Sequence, residues 1–167
     1  ILKGATIGDN VIIGAGCTIR KGQVIPDNTI VVNNSESLKY IRRPQGKHHA
    51  FTYTVSGNLE HIEFLIKALP QLEFHIAAPT RVSQSLRNLE NYSNVSIYTQ
   101  IHHLDIINEL LDRADIYLDI NHLYEVSDVI KHALEKSIPV LSFDNVAHRP
   151  EKSIVFPSNS PQEMVDA

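Results

Sequence analysis

The chain carries one cysteine, Cys17, in 167 residues. No internal disulfide can form, which fits a reducing compartment. No apolar stretch approaches the roughly 20 residues that cross a bilayer, and no secretory signal pattern is present. A cytoplasmic protein without a membrane span is expected. Basic runs are also missing: the longest is Arg42-Arg43, and the formal net charge is −4. A basic groove for nucleic acid is therefore not expected. There is no G-x-G-x-x-G, no P-loop, no G-x-S-x-G and no cysteine pair. No histidine precedes His48. The chain begins at Ile1, not Met, and ends at Ala167 inside a helical pattern, so it reads as a piece of a longer polypeptide.

What is present divides into two unlike parts. Five of the seven glycines (Gly4, Gly8, Gly14, Gly16 and Gly22) fall in the first 22 residues. An aliphatic residue recurs at every sixth position: Ile1, Ile7, Ile13, Ile19, Ile25 and Val31. Ala5, Val11, Cys17, Gln23 and Thr29 follow four positions behind, and Gly8-Asp9-Asn10 and Pro26-Asp27-Asn28 are turn-forming. A period of six fits neither a helix nor a flat strand. It fits a triangular β-solenoid with one short strand and one turn per face, its aliphatic residues pointing into a narrow core. Residues 1–33 resemble the closing coils of the left-handed β-helix of hexapeptide-repeat acyltransferases. That resemblance implies self-association into a homo-oligomer through this segment. The histidine that such enzymes use as a general base is absent from it.

Residues 34–50 read as a linker. Ser35 is placed to cap a short helix through Arg42, and Pro44 and Gly46 break the chain. The pair His48-His49 has no third ligand at a usable spacing, so it reads as solvated chain and not as a metal site.

From residue 51 to 167 the pattern changes to strands alternating with helices. Expected strands are Phe51–Ser56, Leu72–Ala77, Val95–Thr99, Ile116–Ile120, Pro139–Phe143 and Ile154–Phe156. Helical spacing marks Leu59–Leu69, Thr80–Tyr92, Leu104–Leu111 and Val126–Leu134. Ser160-Pro161-Gln162-Glu163 reads as a further helix start with Ser160 as its cap. Such alternation predicts an α/β domain with a Rossmann-like parallel sheet covered on both faces. Ligands in such sheets bind beyond the carboxyl ends of the strands. That rule selects Ser56–Asn58, Ala78–Thr80, Gln100–His103, Asn121–Glu125 and Asp144–Arg149.

The stretch Ala114-Asp-Ile-Tyr-Leu-Asp-Ile-Asn-His-Leu-Tyr-Glu125, continuing to Ile138-Pro139-Val140-Leu141, resembles the donor-site region of GT-B glycosyltransferases. More narrowly, Phe74-His-Ile-Ala-Ala78 and Tyr117-Leu-Asp-Ile-Asn-His122 resemble the glycosyltransferases that decorate serine-rich adhesins in Gram-positive bacteria. That group includes a non-catalytic chaperone partner of the same fold. The resemblance implies half of a GT-B fold and a nucleotide-sugar donor, a UDP-sugar among the candidates, with a protein or glycan acceptor. It implies neither cofactor nor metal. Gly57, Gln100, His102, Asn121, His122 and Glu125 are the candidate donor-binding residues, with the diphosphate at the start of a helix that follows His122. No catalytic residue is singled out, and the piece by itself is expected to be inactive.

Two features depart from that pattern. The family's second glutamate is His132 or Ala133 here, and Ser56–Glu63 carries acids and no base before Lys67. A non-catalytic partner domain, or the tail of an acyltransferase, therefore stands beside the donor-binding reading.

Overall fold

The computed structural model describes residues 3–9, 11–14, 17–27, 29–31, 39–40 and 48–167. In the first part, short strands β1 (Thr6–Ile7), β2 (Ile12–Ile13), β3 (Val24–Ile25) and β4 (Thr29–Val31) pair in parallel. Thr6 sits opposite Val24 and Ile7 opposite Ile25, while Ile12 sits opposite Ile30 and Ile13 opposite Val31. Each offset is eighteen residues, or three six-residue repeats. Ile19 and Ile25 are fully buried, and Ile7, Ile13 and Val31 are half-buried. Ile1 lies outside the described residues. The short helix expected from Ser35 is not what Lys39–Tyr40 forms: they are strand β5, antiparallel to β4. That pairing occupies backbone groups that β4 would otherwise leave open on one side. The other residues of the expected helix lie outside the described residues.

The pairing of β1 with β3 continues into a close approach at Gly8. Its N–H donates to the Ile25 carbonyl at 2.8 Å, and the Asp9 N–H donates to Asp27 Oδ1 at 2.7 Å. A Cβ on Gly8 would lie 2.5 Å from the Asp27 nitrogen and 2.7 Å from the Pro26 carbonyl carbon. Backbone cannot step aside as a side-chain tip can. Gly8→Ala is therefore expected to force the two levels of the coil apart, at a cost of roughly 1–3 kcal/mol. Hydrogen exchange checks this: the Thr6 and Gly8 amides should exchange faster, while amides of the large sheet keep their protection.

The second part is a sheet of six parallel strands in the order β11-β10-β9-β6-β7-β8. These are β6 (His48–Tyr53), β7 (Leu72–Ala77), β8 (Val95–Tyr98), β9 (Ile116–Asp119), β10 (Val140–Phe143) and β11 (Ile154–Phe156). The helices are α1 (Ile62–Ala68), α2 (Gln84–Asn88), α3 (Leu104–Leu111), α4 (Val129–Glu135) and α5 (Gln162–Asp166). Residues of α1, α2 and α5 share one core with Phe74, Ile76, Leu118 and Phe143. Residues of α3 and α4 share the other with Phe51, Tyr53, Tyr117 and Val140. Both faces are covered, which is why all six residues of β7 are buried. Ile12 of the first part joins the α3–α4 core, and a Cβ on Gly14 would meet the Ile106 Cδ1 at 2.9 Å. Strand β2 and Gly14 therefore pack against α3.

Four local expectations change. The first strand begins at His48, so His48-His49 is not solvated chain. Alternation along the strand exposes His48 and buries His49, whose Nδ1 lies 2.9 Å from His75 Nε2. His75 Nδ1 in turn meets the Tyr98 hydroxyl at 2.8 Å, so a polar ladder crosses β6, β7 and β8 inside the core. Thr80–Arg81 is not helical; Ser83 caps α2 by accepting from the Leu86 N–H. The third change is at α4, which starts at Val129, because Ser127 and Asp128 have φ of 53° and 50°. At the end of the chain, Pro161 takes the cap position of α5, and Ser160 contributes its carbonyl to the Glu163 N–H.

Candidate functional site

The chain leaves β6 for β7 and β8 on one side, then returns to β9 on the other side of β6. The order reverses between β6 and β9, and in sheets of this kind such a switch point marks the crevice at the carboxyl ends of the strands. Thr54 stitches its floor. Its hydroxyl donates to Asn121 Oδ1 at 3.0 Å and accepts from the Ser56 N–H at 2.9 Å. Across the crevice, Leu59 and Asn121 form an antiparallel bridge, and the Glu60 N–H donates to the Ile120 carbonyl at 2.8 Å.

Four of the six expected residues (Gly57, Asn121, His122 and Glu125) lie on the loops beside this switch point. Gln100 and His102 do not: they follow β8 at the sheet edge, two strands from β6. Both are exposed, Gln100 in a left-handed conformation with φ 62°. Their loop is tied back through Ile101, whose carbonyl accepts from the Tyr53 hydroxyl at 2.8 Å. Burial pushes that Tyr53 hydroxyl up to about 12.

The side chains at the switch point are occupied by one another. The Gly57 carbonyl accepts from Ser83 Oγ at 2.6 Å and from Ser85 Oγ at 3.2 Å. Asn121 is buried; its Nδ2 donates to the Tyr124 carbonyl at 2.9 Å, and its Oδ1 also accepts from the Leu123 N–H. It builds the loop from inside. His122 Nε2 lies 2.8 Å from Glu60 Oε2, and the other Glu60 oxygen meets His61 Nε2 at 3.0 Å.

Glu125 is the decisive residue. The helix expected from Val126, with a diphosphate at its start, begins instead at Val129, after two left-handed residues. The same turn folds Glu125 back over the helix start. Its Oε1 accepts from the Ile130 N–H at 3.0 Å, and its Oε2 accepts from Arg149 Nε at 2.7 Å. Arg149 Nη2 also reaches Asp128 Oδ1 at 3.2 Å. The Glu125 carboxylate, with its side chain 14% exposed, thus fills the place at the helix start that an anion would take.

Arg149, His148 and Asp119 were missed as site residues. Arg149 is the single Lys or Arg within the five loops that the strand-end rule selects. Residue type within those loops was the signal. The loop after the first strand, Ser56–Asn58, carries no base; the cation stands on the loop after β10. Asp119 ends β9, buried. Its Oδ1 meets His148 Nδ1 at 2.6 Å, and its Oδ2 accepts from the His148 backbone N–H at 2.8 Å. His148 Nε2 faces the Leu123 carbonyl. Burial pushes the Asp119 carboxyl up, against the hydrogen bonds from His148 that pull it down. Burial pulls the imidazole down, but the Leu123 carbonyl and the Asp119 carboxylate outweigh it and hold its pKa above the ordinary histidine value. Leu123 and Tyr124 stand out in water, 50% and 68% exposed. Among the described residues, no three His, Cys, Asp or Glu side chains are placed to hold a metal ion. No helix among them is long and apolar enough to cross a membrane.

A six-stranded parallel sheet with helices on both faces, and a crevice at its switch point, is the GT-B-like α/β fold. The chain belongs to the family described as the GftB/GlyA-F C-terminal domain, which matches residues 50–167. It is 36% identical over 139 residues to glycosyltransferase GlyB of Streptococcus pneumoniae, covering 83% of this chain and 33% of that protein. It is 40% identical over 115 residues to GtfB of Streptococcus agalactiae, covering 69% of this chain and 25% of that protein. That relative is named as the stabilizing protein of a UDP-N-acetylglucosamine–peptide N-acetylglucosaminyltransferase. A crystal structure of the GtfA/B complex bound to UDP and GlcNAc superposes with a TM-score of 0.66 at 27% identity, covering 91% of this chain and 33% of that one. The chain thus spans a quarter to a third of the length of these three proteins.

Proposed function

We propose that this chain serves protein glycosylation as the carboxyl-terminal domain of a GT-B-like polypeptide, in the role of a non-catalytic partner that stabilises a glycosyltransferase. One observation carries the choice of role. The candidate donor carboxylate, Glu125, already accepts from both the helix start and the nearest guanidinium, so a diphosphate would have to displace it. The two relatives above bear one of these roles each. A second reading, binding of a nucleotide-sugar donor such as a UDP-sugar in the same crevice, is favoured by Arg149, which supplies the cation that a diphosphate needs. In either role the acceptor is a protein or glycan.

Calorimetry with UDP, UDP-N-acetylglucosamine and inorganic pyrophosphate separates the two. The self-occupied crevice predicts no binding by the unaltered chain and a gain of pyrophosphate binding in Glu125→Ala, which frees Arg149 and the Ile130 N–H. Binding by the unaltered chain that Glu125→Ala weakens, by roughly 1.5–3 kcal/mol for a lost hydrogen bond to a charged group, would establish the donor-binding role instead.

Residues 1–33 fit the end of a left-handed β-helix, a reading supported by the six-residue period and the eighteen-residue ladder offsets. Self-association through this coil is part of the proposal. Light scattering that shows a monomer at high protein concentration would remove it.

A further inference from the structure

We propose that His148 is the positioning residue of the crevice, and that it holds the Asn121–Glu125 loop only as an imidazolium. The argument is one of donors and acceptors. Nδ1 faces the Asp119 carboxylate and Nε2 faces the Leu123 carbonyl. Both partners accept hydrogen bonds and neither donates. A neutral imidazole carries one N–H, so one of its nitrogens would turn a lone pair towards an oxygen. The imidazolium satisfies both at once.

The clasp joins three elements. Asp119 ends β9, His148 lies in the loop after β10, and Leu123 is the middle of the loop that leaves β9. The backbone of His148 is fixed separately, by its N–H to Asp119 Oδ2. Losing the ring proton therefore loosens Leu123 while His148 stays in place. The charged groups around the ring are Asp119 on β9, Glu125 on the clasped loop, and Arg149 on its own loop, which is itself paired with Glu125 and Asp128. Tyr117, also on β9, is buried and carries no charge, because burial pushes its hydroxyl far up. The two carboxylates that act on the ring, Asp119 and Glu125, both favour its protonated form.

The sign follows. The raised imidazole pKa means that the clasp is closed below it and is lost as pH rises through it. Leu123 and Tyr124 project from this loop, so a closed clasp presents them in one fixed arrangement and an open one does not. The inference does not depend on whether the crevice takes a donor or a partner.

Nuclear magnetic resonance on the full chain tests it. At pH 6 both His148 ring nitrogens should carry protons. The ring should titrate with a midpoint above the roughly 6.5 of a free histidine, and the Leu123, Tyr124 and Glu125 amides should shift with the same midpoint. His148→Gln should abolish that loop titration, whereas His48→Gln, at the exposed start of β6 far from the loop, should leave it. Asp119→Asn, which keeps an acceptor and removes a charge, should lower the midpoint. If His148→Gln does not fold, the unaltered chain still decides. A singly protonated ring at pH 6, or loop amides that do not follow the ring, overturns the proposal.

Discussion

Phe143→Ala is expected to destabilise the α/β domain by roughly 3–5 kcal/mol, the usual cost of truncating a buried phenylalanine. Phe143 ends β10, is fully buried, and packs among residues from α1, α5 and the central strands. Domain stabilities run at about 5–15 kcal/mol, so this one truncation can remove most of the margin. The cavity would also open beneath the crevice. The His61 ring packs edge-on against Phe143 at 5.0 Å between centroids, and His61 holds one oxygen of Glu60. Urea unfolding should show a lower midpoint with an unchanged slope. Phe143→Leu, which keeps most of the volume, should recover much of the loss. A change below about 1 kcal/mol would mean that this core can collapse around the gap.

Glu125→Ala is expected to cost roughly 2–3 kcal/mol even though Glu125 lies at the rim of the crevice. Two interactions go together: the carboxylate at the start of α4, of the size of a helix cap, and the charge-assisted bond from Arg149. The arginine side chain is one-quarter exposed, so water screens part of the second. Glu125→Gln keeps an acceptor for the Ile130 N–H and should cost less. Arg149→Ala should resemble Glu125→Gln more than Glu125→Ala. The double mutant of Glu125 and Arg149 should fall short of the sum of the two singles, since they share one bond. Thermal melts of the four proteins give the full cycle. Additive losses would show that the ion pair contributes nothing and that the cap alone matters.

The sheet was legible because its signal is repeated. Each strand is a short apolar run, each helix an amphipathic one, and Leu72–Ala77, Leu104–Leu111 and Ile154–Phe156 fall on the expected residues. The six-residue period likewise put Ile19 and Ile25 inside. The misses occur where one backbone angle or one alternation decides. Val126 is in phase with Val129 and Ile130, so periodicity places the helix start there. Two left-handed residues between them are invisible to periodicity, and they bring the Glu125 carboxylate to the Ile130 N–H. His48-His49 looked solvated as a dipeptide, yet strand alternation sends one ring outward and the other into contact with His75. The charged partners of the site are 24 residues apart for Glu125 and Arg149 and 29 for Asp119 and His148. No local pattern joins residues at such distances; only the adjacency of β9 and β10 does.

The pairing of β6 with β9 also sets an order of events. Ala50 meets Ile116 only after two intervening strands and three helices have been made. Closing so long a loop delays the contact, whereas β6 with β7 and β7 with β8 are joined by short crossovers and can form early. A chain emerging from the ribosome could thus hold a three-stranded sheet whose β6 edge is still bare, with Thr54 lacking Asn121 and Glu60 lacking Ile120. The crevice is the part of this domain that a nascent chain completes late, and until then the open β6 edge is where another strand could add in its place.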